Sequence, residues 1–200
     1  MRYDKGHKDE THRHLLDVAA KQFLKNGIDG VGIATIMKEA GLTNGAFYAH
    51  FKSKNALVAE VLDDALEQRE KQFLKGSIKA TDYVRLYLSP THRSDVECGC
   101  PIAALLSELV RHSKATRQVF TKRTERAAEL IASQLEGSEH ERNRIAMSVI
   151  AISIGALQMS RAVTNAKLSD EILSGAYETA MSLVSGKPRP EPSAVKNGEI

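Results

Sequence analysis

Apolar residues recur three or four positions apart along most of this chain, which is the spacing of one face of an α-helix. The first such stripe contains Leu15, Ala19 and Phe23. The last contains Leu173 and Ala180. We find no run of alternating apolar and polar residues of the kind that predicts a strand. Helix-favouring residues dominate and aromatic residues make up only 5% of the chain. We therefore expect an all-α fold of about nine helices.

Capping and turn residues give the expected limits of these helices. Thr11 is predicted to cap the first helix and Gly27 to end it. Gly41 falls where a left-handed residue would turn the chain between the second and third helices. Thr43 and Ser53 are predicted to cap the third and fourth helices. The nine expected helices lie near residues 11–26, 33–40, 43–51, 53–74, 79–88, 101–110, 114–136, 139–165 and 169–185.

Composition and charge suggest how the chain is divided. We expect residues 1–54 to form a small domain, residues 55–75 a connecting helix and residues 76–185 a larger helical domain. Residues 186–200 hold three of the five prolines and are expected to be disordered. Through Lys54, nine Lys or Arg face six Asp or Glu, which leaves +3, the net charge of the whole chain. This asymmetry favours an anionic partner for the N-terminal quarter, and an ordinary solvated surface is the alternative.

The segment from Gly32 to Phe51 reads as a helix, a glycine turn and a second, capped helix. Two helices joined by a turn of three or four residues can place the second helix in the major groove of DNA. Phe47 and Phe51 are four residues apart and would anchor that second helix in the core. The segment therefore predicts a helix-turn-helix, in which the helix starting at Thr43 reads DNA.

Eight residues in and just after that helix are the expected DNA contacts. Gly45 and Ala46 are small, so that the backbone can approach a duplex closely. Asn44 suits bidentate pairing with adenine, and Tyr48 suits a phosphate oxygen. An ordinary surface position is the alternative for each residue of the set. The full set is Thr43, Asn44, Gly45, Ala46, Tyr48, His50, Lys52 and Lys54.

The same segment resembles the TetR family of transcription regulators. Two positions depart from the family's pattern: Gly32 stands where a capping Ser or Thr is usual, and Ala34 stands where a basic or polar residue is frequent. No operator sequence is therefore carried over from the family. The matching residues, within the stretch from Leu15 to Glu60, are Ile36-Met37, Ala40-Gly41, Leu42, Thr43, Gly45, Tyr48, His50-Phe51, Ser53-Lys54 and Leu57.

The resemblance implies a ligand-responsive transcriptional repressor that binds palindromic operator DNA as a homodimer and is released by a small molecule. The alternatives are an activator of the same fold, or a helical ligand-binding or scaffold protein that no longer binds DNA. The larger domain would hold the pocket for the small-molecule effector. Residues expected to line this pocket are Tyr83, Tyr87, Leu105, Leu109 and Phe120.

The dimer interface is expected on the last two helices. The helix of residues 145–159 is apolar on nearly every face, and such a helix must be buried somewhere. A central core helix is one interpretation, and a seam between two protomers is the other. The expected interface residues are Val149, Ile150, Leu157, Ile172, Leu173, Ala176, Tyr177 and Ala180.

The cysteines and histidines are the remaining residues that could carry chemistry. Cys98 and Cys100 could be thiol sensors or metal ligands with His92 or His112, but packed thiols are the simpler interpretation. The seven histidines form no metal motif, and the chain has no nucleophile elbow. We therefore expect no enzyme activity, no metal and no cofactor.

Location and membrane contact can be anticipated in the same way. The N-terminus lacks the apolar segment of a signal peptide, and two cysteines fit a reducing compartment. The charge-free stretch of residues 145–160 is shorter than the ~20 residues that a spanning helix needs. We expect a cytoplasmic protein with no membrane partner.

Overall fold

The computed structural model describes residues 5–76, 78–96 and 99–186, and every regular element in them is a helix. This confirms the predicted all-α fold. The α-helices are α1 (Lys5–Asn26), α2 (Ile33–Glu39), α3 (Lys54–Lys75), α4 (Ala80–Tyr87), α5 (Pro90–Ser94), α6 (Pro101–Leu109), α7 (Lys114–Ala132), α8 (Glu139–Ala162) and α9 (Ala166–Ser185). A short 3₁₀ helix, η1 (Asn44–Ala49), lies between α2 and α3. The predicted disorder beyond Gly186 lies outside the described residues.

Two local predictions are wrong, and one helix was not predicted. The first helix begins at Lys5 instead of Thr11, whose Oγ1 donates to the carbonyl of His7 one turn earlier. The third helix is 3₁₀, and the side chain of Thr43 makes no capping hydrogen bond. The helix α5 was not predicted, although Ser89 caps it and Pro90 occupies its first turn, where proline is favoured. The predicted cap at Ser53 is correct, since its Oγ accepts from the backbone N–H of Ala56 at 3.1 Å.

One buried cluster lies between α1, α2, η1 and the N-terminal half of α3. Phe23, Phe47 and Leu57 are completely buried in it. Burial of three such side chains contributes roughly 1.5–3 kcal/mol each to folding. Phe47 is the buried residue of η1, so its packing in this cluster determines which face of η1 is turned to solvent.

A second buried cluster lies between α4, α6, α7, α8 and α9, with α8 packed along α9. Val84, Ile131 and Leu157 are among its most buried residues. By length and composition alone, α8 could cross a membrane. Its most buried residues nevertheless face this cluster, which accounts for much of its apolar character.

Two helices contribute to both clusters. From α3, Leu62 belongs to the first cluster and Leu66 to the second. From α6, Ile102 belongs to the second and Leu105 to the first. A displacement at one cluster can therefore reach the other through α3 or α6, because packed interiors transmit strain.

Ion pairs hold α3 against α7 near the part of α3 that passes from the first cluster to the second. Arg123 donates from Nε to Asp63 Oδ1 at 2.6 Å and from Nη1 to Glu70 Oε2 at 3.1 Å. Arg126 donates to the other oxygen of Glu70 at 2.9 Å. The pKa of Arg123 is raised, chiefly by its hydrogen bond to Asp63. The connecting helix is thus joined to the second cluster by charge as well as by packing.

Candidate functional site

The turn between α2 and η1 has the geometry of a helix-turn-helix. Gly41 has φ of 70°, the left-handed conformation that favours glycine. Its N–H donates to the carbonyl of Lys38 at 3.0 Å, and the N–H of Leu42 donates to that of Met37 at 2.9 Å. These two bonds end α2 and redirect the chain, so that η1 starts three residues after Gly41 without a side-chain cap.

All eight residues predicted to contact DNA are at least partly open to solvent. Tyr48 is 70% exposed, and its ring stands edge-on to Phe47 with centroids 5.3 Å apart. A Cβ added at Gly45 would meet no atom within 4 Å, so the protein's own packing does not require glycine there. Thr43, Asn44, Gly45, Tyr48 and Lys52 are exposed, and Ala46, His50 and Lys54 are half-buried.

A histidine pair supports η1 from the side of α1, and sequence reasoning missed it. His12 stacks on Phe51 with ring centroids 4.7 Å apart, and it pairs with Glu60 of α3. His50 lies 5.8 Å from His12, ring to ring. Burial, and then the charges of His12 and Lys8, lower the pKa of His50. A neutral His50 can donate a hydrogen bond to a phosphate without carrying a charge.

The loop between α1 and α2 is tied to α6. The backbone N–H of Asp29 donates to Glu108 Oε2 at 2.9 Å. Gly27 has φ of 75°, and a Cβ there would lie 2.7 Å from Glu108 Oε1. His112 Nε2 lies 3.9 Å from Asp29 Oδ1. Glu108 is therefore the polar contact by which α6 holds the segment leading into α2.

We expect Glu108→Ala to lower the free energy of unfolding by about 1 kcal/mol, because the N–H of Asp29 loses its acceptor. Urea denaturation followed by circular dichroism measures this change. Ser107→Ala, at an exposed position on the same helix, is the matched control and should be neutral within about 0.5 kcal/mol. Equal effects of the two substitutions would contradict a structural role for the Glu108 contact.

A cavity of about 330 Å³ is enclosed mainly by α3, α4 and α7, with single residues from α5 and α6. Tyr83 and Tyr87, which were expected to line a ligand pocket, line this cavity. Leu105 and Leu109 instead lie in the first cluster, and Phe120 packs against both clusters, so none of these three residues lines this cavity. Apolar walls come from Leu66, Phe73, Ile78, Leu86, Ile102, Ala127, Leu130 and Ile131, and polar groups from Arg69, Glu70, Gln72, His92, Cys100 and Arg123.

His92 fixes the polar end of this cavity. Its Nδ1 donates to the carbonyl of Tyr87 at 2.8 Å, and its Nε2 accepts from the N–H of Cys100 at 3.0 Å. A carbonyl only accepts and an N–H only donates, so these partners specify the neutral tautomer. Arg161 of α8 donates to the carbonyls of His92 and Arg93 at 2.6 and 3.0 Å. These contacts hold α5 in place.

We expect the C-terminal helices to lose stability as the pH falls. Burial lowers the folded-state pKa of His92 below its ordinary value. Below about pH 6.5 the unfolded chain therefore binds a proton that the folded chain does not, so the free energy of unfolding decreases as the pH decreases. His92→Gln should reduce the loss between pH 7.5 and 5.5, measured by urea denaturation. His14→Gln, at an exposed position, is the control. An unchanged pH dependence in His92→Gln would contradict this account.

Of the two cysteines, the structure describes only Cys100, which is buried. Cys98 lies outside the described residues. Among the described residues, no group of three or more His, Cys, Asp or Glu side chains is placed to hold a metal ion.

Family models match both parts of the chain. Residues 15–61 match the model described as bacterial regulatory proteins, tetR family. Residues 79–171 match the C-terminal domain described as transcriptional regulator LmrA/YxaF-like. Together the two ranges cover more than half of the chain.

Named relatives are transcription regulators. The chain is 42% identical to the HTH-type transcriptional regulator AcrR of Shigella flexneri over 60 residues, which are 30% of this chain and 28% of AcrR. The chain thus spans under a third of that relative's length. It is 26% identical to the HTH-type transcriptional repressor NemR of Escherichia coli K12 over 141 residues, which are 66% of this chain and 71% of NemR.

A solved structure shares the fold over nearly the whole chain. The crystal structure of reduced E. coli NemR superposes with a TM-score of 0.70 at 21% identity, covering 92% of this chain and all of that one. A regulator from Cytophaga hutchinsonii gives the same TM-score at 19% identity, covering 96% of this chain and all of that one. At these identities the likeness concerns the fold alone.

Proposed function

We propose that this chain, which belongs to the TetR family of transcription regulators, is a repressor that binds a palindromic operator as a homodimer and is released by a small molecule. The surface of η1 carries the proposal: Phe47 and Phe51 lie behind it in the core, while Tyr48 and Lys52 are exposed. A buried anchor with an exposed polar face suits insertion into a groove of DNA.

The proposed roles of the residues follow from their exposure and chemistry. Tyr48, Lys52 and Lys54 would bind phosphate oxygens, since hydroxyl and ammonium groups donate to them. Asn44, exposed at the start of η1, would read a base edge. The open space at Gly45 would let the DNA backbone approach closely.

The homodimer would form on the outer faces of α8 and α9, which requires a correction to the predicted interface. Val149, Ile150, Leu157, Leu173 and Ala180 are buried inside the protomer, so a partner cannot reach them. Ile172, Ala176 and Tyr177 are half-buried and remain available. We define the outer face of α8 and α9 as Ala151, Gly155, Met159, Leu168, Ile172 and Gly175.

The outer face has the properties of a helix-packing surface. Met159 is 58% and Leu168 is 43% exposed, although both are apolar. A Cβ added at Gly155 or Gly175 would meet no atom within 4 Å in the protomer. Apolar residues beside small ones allow the helices of a second copy to approach closely, and two-fold symmetry would then set the spacing of the two η1 helices.

Release by a small molecule would use the helices shared between the two clusters. The cavity is lined by Glu70 of α3 and Ile102 of α6. The same two helices contact the first cluster and the loop before α2, through Leu62 of α3 and Glu108 of α6. A ligand that favours the position of these helices that binds DNA poorly must weaken DNA binding by the factor by which DNA weakens ligand binding. The chain would act in the cytoplasm, where its operator lies.

A reporter gene behind the promoter upstream of the chain's own gene tests the proposed function. Expression of the chain should lower transcription from the native promoter and leave a promoter with scrambled upstream sequence unchanged. Increased transcription would identify an activator instead. No change, together with no binding to that DNA in vitro, would favour the helical scaffold.

A further inference from the structure

Aromatic rings form one wall of the cavity. Phe73, Tyr83, Tyr87 and His92 follow one another, with ring centroids 6.5, 5.3 and 4.8 Å apart. A cavity of about 330 Å³ lies at the lower end of the volumes of small-molecule sites. A flat molecule with two fused rings suits this space, because aromatic rings gain from stacked or edge-on contact with such a wall.

The hydroxyl of Tyr87 is a buried polar group in the lining of the cavity. Tyr87 is 7% exposed, and its hydroxyl makes no hydrogen bond of full geometry among the described residues, since the thiol of Cys100 beside it is only a weak partner. A buried polar group without a partner is costly, which calls for a ligand or water to satisfy it. Burial, and then the neighbouring Cys100, raise the pKa of Tyr87, so the hydroxyl keeps its proton and can donate it.

The charges around the cavity disfavour a cationic ligand. Glu70 is the acidic residue in its lining, and both of its carboxylate oxygens already accept from Arg123 and Arg126. An ammonium ligand would lose its hydration without meeting a free carboxylate. Two arginines, Arg69 and Arg123, also line the cavity, and Arg123 is already paired with Asp63 and Glu70.

We propose that the cavity binds a neutral aromatic molecule of about two fused rings, whose carbonyl-type oxygen accepts a hydrogen bond from the Tyr87 hydroxyl. The inference rests on the proposed function, because it names the chemical class of the releasing molecule. It adds a specific atom of the protein and a specific group of the ligand to that proposal.

Three probes with the same skeleton test this inference by equilibrium dialysis against the full chain without DNA. They are 2-acetylnaphthalene, 2-isopropylnaphthalene and 1-(2-naphthyl)ethylamine, which carry a carbonyl oxygen, a methyl group and an ammonium group at one position. The ketone should bind roughly tenfold more tightly than the hydrocarbon, the usual effect of one hydrogen bond, and the amine most weakly.

Two variants locate the binding. Tyr87→Phe keeps the ring and should bring the affinity for the ketone down to that for the hydrocarbon. Ala127→Phe fills the cavity and should weaken both probes at least tenfold. Circular dichroism checks that each variant is folded.

Tighter binding of the amine, equal binding of ketone and hydrocarbon to the native chain, or an unchanged ketone affinity in Tyr87→Phe would overturn the inference. If the native chain bound the ketone but not the operator duplex, the proposed function would be overturned instead. Absence of ketone binding with operator binding retained would overturn this inference alone.

Discussion

Replacing both Tyr48 and Lys54 by Ala is expected to weaken operator binding by a factor of roughly 10²–10³ while leaving the protein folded. A dimer would lose four phosphate contacts, two from each protomer. Tyr48 is 70% exposed and contacts the core through its edge-on packing against Phe47, so its removal should cost little folding stability.

The stability of this variant separates DNA contact from folding. Lys54 is the first residue of α3, where the positive end of the helix dipole disfavours a basic side chain. Its replacement should therefore leave the free energy of unfolding unchanged or raise it by a few tenths of a kcal/mol. Lys54 is thus a basic, partly exposed residue at a position where a basic side chain is disfavoured, which suits a function outside the protomer.

A double variant at a distant surface controls for general charge. Lys79→Ala with Lys122→Ala also removes exposed lysines, one before α4 and one on α7. This control should change operator affinity less than fivefold, because long-range attraction between exposed charges is largely screened at physiological salt. Equal losses in the two double variants would contradict a specific role for the η1 surface.

Gly155→Arg is expected to dissociate the proposed homodimer and thereby lower operator affinity at least ~100-fold, because two helix-turn-helix regions then no longer bind together. The position is open within the protomer, since no atom lies within 4 Å of a Cβ built there. In a dimer it would place two positive charges in the seam between apolar faces.

Sedimentation equilibrium at micromolar concentration measures this effect, with circular dichroism as the test of folding. Arg favours a helix by up to about 1 kcal/mol over Gly, so the substitution itself supports α8. Glu125→Arg introduces the same side chain on an exposed position of α7 and should leave the dimer intact. A dimeric mass for Gly155→Arg, or a monomeric mass for the native chain, would refute the proposed interface.

The helical fold could be predicted because the spacing of apolar residues along the chain indicates which face of each helix is buried. The helix-turn-helix was also predictable from local sequence, since the turn needs Gly41 and the core needs Phe47 and Phe51. The cap at Thr11 failed because a threonine inside a helix can bond to the carbonyl one turn back, which leaves its sequence signal ambiguous.

The side chains that stay exposed on α8 and α9, and those that line the cavity, could be predicted less well because they depend on three-dimensional neighbours. Both faces of α8 are apolar, so the pattern could not tell that Val149 packs inward and Ala151 outward. Leu105 has the same helical spacing as its neighbours on α6, yet it belongs to the first cluster. Contacts such as His92 with Cys100 join a short helix that sequence reasoning did not detect.

The most direct test of a sequence-specific DNA-binding regulator is a fluorescence-anisotropy titration at near-physiological salt. The native chain is titrated against a duplex from upstream of its own gene and against a scrambled duplex of equal composition. We expect the native duplex to bind ~10³-fold or more tightly than the scrambled one. Equal binding to both duplexes, or no binding to either at low salt, would contradict the account.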